Sequence, residues 1–132
     1  MVTLNGAFKV ASWNEDAYDE RDGHRLTRAS VTQQFAGDIA GEGAAQWLMA
    51  YRPDGTARFV GMQLVDGTIA GRRGTFVLET AGEFDGRVAR WEATVVAGST
   101  TGELPRLTGA GRFEAPLGSE ASYELEFDLA ER

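Results

Sequence analysis

Four glycines in this chain directly follow an aspartate, at Asp22-Gly23, Asp54-Gly55, Asp66-Gly67 and Asp85-Gly86. Both residue types tolerate positive φ, which two-residue hairpin turns require. Between these points lie runs rich in Val, Thr, Phe, Trp and Tyr, often alternating with polar residues. Turn chemistry at strand-length intervals, with period-two runs between, specifies an up-and-down antiparallel sheet.

The spacing predicts eight strands, over about 4–13, 25–35, 39–52, 57–70, 75–84, 88–97, 106–114 and 122–130. Residues 14–23 read as an acidic loop and 98–105 as a second loop. Pro53 presets φ for a turn at Arg52-Pro53-Asp54-Gly55. Gly71-Arg72-Arg73-Gly74 reads as the next turn. Asp66-Gly67 then falls inside the fourth strand, where a glycine marks a bulge, or alternatively a hairpin followed by a short extra strand. The alanines of 41–50 would suit a helix, but Gly41 and Gly43 open the segment and Trp47, Met49 and Tyr51 alternate through it, so it reads as strand.

Period-two sorting separates the faces. Ala29, Val31, Gln33 and Phe35 share one side of the second strand; Ala45, Trp47, Met49 and Tyr51 share one side of the third. Phe59, Gly61, Gln63 and Val65 do so in the fourth, Ala89, Trp91, Ala93 and Val95 in the sixth, and Tyr123, Leu125, Phe127 and Leu129 in the last. Eight long antiparallel strands are about the number that close into a small barrel, which removes exposed edges. The expected fold is therefore all-β, a single eight-stranded antiparallel barrel spanning 1–132. Its interior either fills with side chains or holds one small ligand, and the mixture of Trp47, Tyr51, Phe59 and Trp91 with Ala45, Gly61 and Ala93 fits both.

The bulk numbers exclude several functions. Thirteen basic against twenty acidic residues leave a net charge of −7, which repels phosphate backbones, so no nucleic-acid partner is expected. No apolar run approaches the ~20 residues of a membrane helix, and no secretory leader pattern is visible in 1–10, so the expected setting is the cytoplasm, away from membranes. There is no cysteine and only one histidine, His24, so zinc sites, thiol catalysis and disulfides are out. No metal and no cofactor is expected.

With the strands placed, the chain resembles a bacterial family catalogued as domain of unknown function 3224. The resemblance rests on Ser30-Val-Thr-Gln-Gln-Phe-Ala-Gly-Asp-Ile-Ala-Gly-Glu-Gly43 and Leu48-Met-Ala-Tyr-Arg-Pro-Asp-Gly-Thr56. It continues through Phe59-Val-Gly-Met62, Gly71-Arg-Arg-Gly-Thr-Phe-Val-Leu78 and Gly98-Ser-Thr-Thr-Gly-Glu-Leu104. It implies a barrel similar to that of the plant allene oxide cyclases and implies no reaction, since no cyclase motif maps onto these positions. Where this chain carries Glu79-Thr80, the family tends towards Gln-His.

The candidate chemistry is sparse. His24 follows a turn, where a solvated histidine is a simpler reading than a general base. Glu15, Asp16, Asp19, Glu20 and Asp22 lack the spacing of a helix-loop-helix calcium site and read as a solvated acidic loop. Gly41-Glu42-Gly43 and Gly109-Ala110-Gly111 lack the third glycine and the helix that would give them phosphate-binding meaning. Glu79 would be a catalytic proton carrier if it faced an apolar lumen, although its opposite face (Phe76, Leu78, Thr80) is the more apolar one. Gln33 and Gln63, inward amides among aromatics, could hold a ligand carbonyl or hydroxyl, or simply bond to each other.

Three functions follow as expectations. The first is a binding module for a small apolar or aromatic molecule, lined by Trp47, Tyr51, Phe59, Trp91 and Tyr123 and oriented by Gln33 and Gln63. The second is a cofactor-independent isomerase or cyclase using Glu79, and the third an interaction protein with a filled barrel. Val60, Met62 and Leu64 form an apolar outer stripe that suits a homo-oligomer.

Overall fold

In the computed structural model of this chain, which describes residues 1–129, eight strands follow one another. They are β1 (Val2–Arg21), β2 (His24–Gly37), β3 (Ile39–Tyr51), β4 (Ala57–Ile69), β5 (Arg72–Phe84), β6 (Val88–Val95), β7 (Leu107–Pro116) and β8 (Ala121–Leu129). Each pairs antiparallel with the next, and β8 returns to β1, closing the barrel. The expected end of the last strand at Ala130 lies outside the described residues. No helix among the described residues is long and apolar enough to cross a membrane.

The turns divide into two kinds. At Asp22-Gly23 both central residues have positive φ, 49° and 84°, the backbone a tight hairpin with matching twist needs. Ala70-Gly71 adopts the same pair of signs, 53° and 80°, without help from an aspartate. Asp54 and Asp85 act through their carboxylates instead. Asp54 Oδ1 accepts from Thr56 N at 3.0 Å, and Asp85 Oδ1 accepts from Arg87 N and Val88 N at 2.9 Å each.

Two expectations are corrected. Asp66-Gly67 is neither bulge nor turn: Asp66 and Gly67 pair in unbroken register with Glu42 and Gly41 on one side and with Thr75 and Gly74 on the other. The strand simply reaches Ile69 and turns at Ala70-Gly71, leaving Gly74 inside β5. The acidic segment 14–21 is not a loop but the second half of β1, paired with β2 down to Arg21↔His24. It carries no apolar alternation because nearly all of it is exposed, and β1 is further broken by register shifts between Val10 and Ser12 and between Ala17 and Asp19. Each inserted residue exchanges the inward and outward faces.

The inward sets sorted by period two are buried, with Tyr51, Gly61, Ala89 and Leu129 only partly so. At one end Ile39, Ile69, Phe76, Leu78 and Phe127 plug the lumen, with Phe76 and Phe127 edge to face at 5.6 Å. The middle is filled by aromatic rings. Trp91 stacks on Phe113 at 5.2 Å and meets Trp47 edge-on at 4.9 Å. Such pairs add about 0.5–1.5 kcal/mol each beyond the area they bury. The other end is different. Among the described residues β1 pairs with β8 only from Val2 to Phe8, so the backbone of residues 9–21 pairs with β2 alone. Beyond Phe8 the barrel is open along this edge, opposite the turn that joins β7 to β8.

Candidate functional site

The open end contains a chamber of about 350 Å³. Its walls include Trp47, Met49, Tyr51, Phe59 and Trp91, its β1 side Val10 and Trp13, and its lip Ala115, Pro116, Leu117 and Gly118. Of the residues expected from sequence to line a ligand site, Gln33, Trp47, Tyr51, Phe59 and Trp91 converge here. The bulge after Val10 explains why Trp13 joins them: three positions apart, both residues face inward. Strict alternation through β1 hides that pairing, and the lip becomes visible only once β7 and β8 are placed.

Two expected ligand-binding residues are elsewhere. Tyr123 is buried near the plugged end, where its hydroxyl donates to Ala36 O at 2.9 Å and accepts from Ile39 N at 2.9 Å. It clamps the β2–β3 link. Gln63 is fully buried behind the chamber wall and serves as a connector. Trp91 Nε1 donates to Gln63 Oε1 at 3.3 Å, and Gln63 Nε2 donates to Gln33 Oε1 at 2.9 Å. An indole N–H can only donate, so it dictates which end of each amide points where. The chain of donations ends at Gln33 Nε2, which is buried and has no hydrogen-bond partner among the described residues. The other inner indole is engaged: Trp47 Nε1 donates to Thr80 Oγ1 at 2.9 Å, and Thr80 Oγ1 donates to Gly61 O at 3.0 Å.

A charged cluster sits at the rim. The Glu15 carboxylate accepts from Thr27 Oγ1 at 2.6 Å and from Trp13 Nε1 at 2.8 Å. Partial burial works to raise its pKa, but the bonds from Thr27, Trp13 and Tyr51 and the Arg25 charge outweigh burial and hold it below the ordinary value. Tyr51 shows the complement: burial and the neighbouring Glu15 carboxylate push its hydroxyl up to about 12. The Arg25 guanidinium lies over the Tyr51 ring, 4.7 Å from its centroid. Glu15 therefore belongs to a rim network rather than to a solvated acidic loop, and the strand pattern turns Asp16 to the opposite face.

Glu79 does not reach the lumen. It is exposed on the outer wall between Met62 of β4 and Thr94 of β6, while Leu78 and Thr80 point inward. The proton carrier on which the isomerase expectation depended is absent from the chamber. His24 is exposed beside the first turn, its Nδ1 3.3 Å from Arg21 O. A larger depression, about 730 Å³, lies on the outer wall of β5 to β8. Most of its charges are already matched, as Arg90–Glu114 at 2.7 Å, Arg112–Glu124 at 3.1 Å and Arg58–Glu83 at 3.3 Å. Exposed pairs of this kind attract an incoming ligand weakly, so the more sheltered apolar chamber is the better candidate.

The comparisons agree with this architecture. A crystal structure of a protein of unknown function from the DUF3224 family of Shewanella oneidensis MR-1 superposes with a TM-score of 0.83 at 28% identity, covering 99% of both chains. No curated protein matches the chain. The family model described as "Protein of unknown function (DUF3224)" matches residues 4–127. With nearly its whole length matched and the barrel shared, this chain belongs to the DUF3224 family.

Proposed function

We propose that this protein binds one small apolar or aromatic molecule in the chamber at the open end of its barrel. The observation that carries this reading is an apolar recess of about 350 Å³, walled by Trp47, Phe59 and Trp91, in a barrel whose other end is filled by buried side chains. Small-molecule sites span roughly 300–1,000 Å³ and are mostly apolar with a few placed polar groups. A barrel built only for stability would fill this end too, because unfilled apolar volume is destabilising. Native mass spectrometry of protein purified from its source is the test. The expected spectrum shows one retained small molecule per chain. Bare protein throughout, together with no response of the tryptophan fluorescence to small aromatic probes, overturns the reading.

A second reading concerns the outer wall, which we infer to be a contact between two copies of the chain. Leu48, Val60, Met62 and Leu64 lie on adjacent strands with 41–50% of their surface exposed. Arg28 flanks this stripe on the β2 side, opposite Leu48, and Glu79 flanks it on the β5 side, opposite Met62. Neither is ion-paired among the described residues. A two-fold axis through the stripe would bring Arg28 of each copy to Glu79 of the other, a self-complementary arrangement. Sedimentation equilibrium at micromolar concentration checks it, and a monomer mass there removes it.

A further inference from the structure

We infer that the chamber selects an uncharged aromatic molecule bearing a carbonyl group, whose oxygen accepts a hydrogen bond from Gln33 Nε2. This rests on the chamber being a ligand site and adds the chemistry of the ligand.

Most polar atoms around the chamber already have partners. The indole N–H groups of Trp13, Trp47 and Trp91 are taken by Glu15, Thr80 and Gln63. Gln63 Oε1 accepts from Trp91, and Gln33 Oε1 accepts from Gln63. Thr80 Oγ1 both accepts from Trp47 and donates to Gly61 O. The Tyr51 hydroxyl faces the Met49 sulfur at 3.8 Å and the Glu15 carboxylate. Among the side chains that line the chamber, what is left is the neutral amide NH2 of Gln33, in a residue that is 1% exposed. Leaving a buried donor unmade costs about 1–3 kcal/mol. A ligand oxygen placed on it removes that penalty.

The same set of partners rejects other oxygen groups. A hydroxyl would need an acceptor for its own proton; Gln63 and Thr80, whose oxygens each keep a lone pair, do not line the chamber, and Gln33 Oε1 is turned towards Gln63. A carboxylate would be desolvated against a single neutral donor. It would also pass the Glu15 carboxylate at the rim, where Arg25 is already occupied over Tyr51. A carbonyl only accepts and carries no charge, so it meets both conditions.

Benzophenone, diphenylmethane, benzhydrol and diphenylacetate test this, since all share two phenyl rings and differ in the group between or beside them. Affinities are measured by calorimetry, and the side-chain amide protons of Gln33 are followed by NMR. Benzophenone is expected to bind about tenfold tighter than diphenylmethane, one well-made hydrogen bond. Benzhydrol should fall between them, diphenylacetate should bind weakest, and only benzophenone should move the Gln33 amide signals strongly downfield. Equal affinities for benzophenone and diphenylmethane, or tightest binding of benzhydrol or diphenylacetate, overturn the proposal while leaving the chamber a ligand site. If none of the four binds, this proposal falls, and native mass spectrometry with the tryptophan fluorescence response decides separately whether the chamber is a ligand site. In Gln33→Met the benzophenone advantage should vanish while diphenylmethane still binds, which also shows that the variant folds. An advantage that survives the substitution overturns the assignment to Gln33, and should the variant not fold, the amide signals of the unaltered protein decide.

Discussion

Gln63 Nε2 donates to Gln33 Oε1 across the face of β3, although β2 and β4 never pair with each other. The bond is made possible by what β3 carries beneath it. Gly43 is the register partner of Gln33, and Ala45 that of Gln63. A Cβ on Gly43 would lie 2.7 Å from Gln33 Oε1, so no larger residue leaves room for the amide. Sequence separation of thirty residues becomes contact because one strand in the middle is stripped of side chain.

Replacing Gln63 tests this chain of donations. Gln63→Leu keeps the volume but leaves the Trp91 indole N–H and Gln33 Oε1 without partners. Two buried unmade groups predict a loss of about 3 kcal/mol. The urea midpoint should fall at unchanged slope. A loss below about 1 kcal/mol would mean that the amides are not joined in solution.

Tyr51 predicts an alkaline weakness. Its hydroxyl titrates from an ordinary 10.0 when unfolded to about 12 when folded. A raised acid pKa means that the unfolded chain gives up this proton first. The associated stability is whole below pH 10 and is lost as pH climbs towards 12. Thermal unfolding of Tyr51→Phe should therefore decline less steeply over that window than the unaltered protein. Parallel curves would contradict the rim geometry. Glu15 has the opposite sign: its pKa is depressed, so its contribution is present above the ordinary 4.5 and fades as acid protonates the folded form.

Ala70 holds φ at 53°, a left-handed conformation that costs an alanine roughly 1–2 kcal/mol. Asparagine tolerates it far better, and Asn-Gly is a favoured pair for this hairpin. Ala70→Asn should stabilise the barrel by up to about 1 kcal/mol, read as a higher melting temperature. An unchanged or lowered value would show that the turn relaxes away from this φ.

The outer-wall contact predicts a charge-swap signature. Arg28→Glu or Glu79→Arg alone should weaken association several-fold, and the two together should restore it. Light scattering over a dilution series reads the result. Singles without effect, or a double substitution that does not recover, would remove Arg28 and Glu79 from the contact.

Strand count, the inward face of most strands and the aromatic filling of the lumen are all readable from the residues alone. These are local properties: period two, turn chemistry at Asp22-Gly23, and residues such as Trp47 and Phe127 placed on one face of their own strand. Period two also brought Gln33, Trp47, Tyr51, Phe59 and Trp91 to a common side, and the barrel joined them. Which end stays open is set by how the strands meet. That depends on where β8 stops pairing with β1, at Phe8, and on two bulges that exchange the faces of β1 beyond it. No pattern within β1 announces either one, because a bulge is defined against a partner strand. The same holds for Tyr123, which alternation places inside but which backbone atoms at the plugged end claim first, and for Glu15, whose partners arrive from β2 and β3. Hydrogen bonds and solvent access are relations between strands, so they come into being only when the sheet closes.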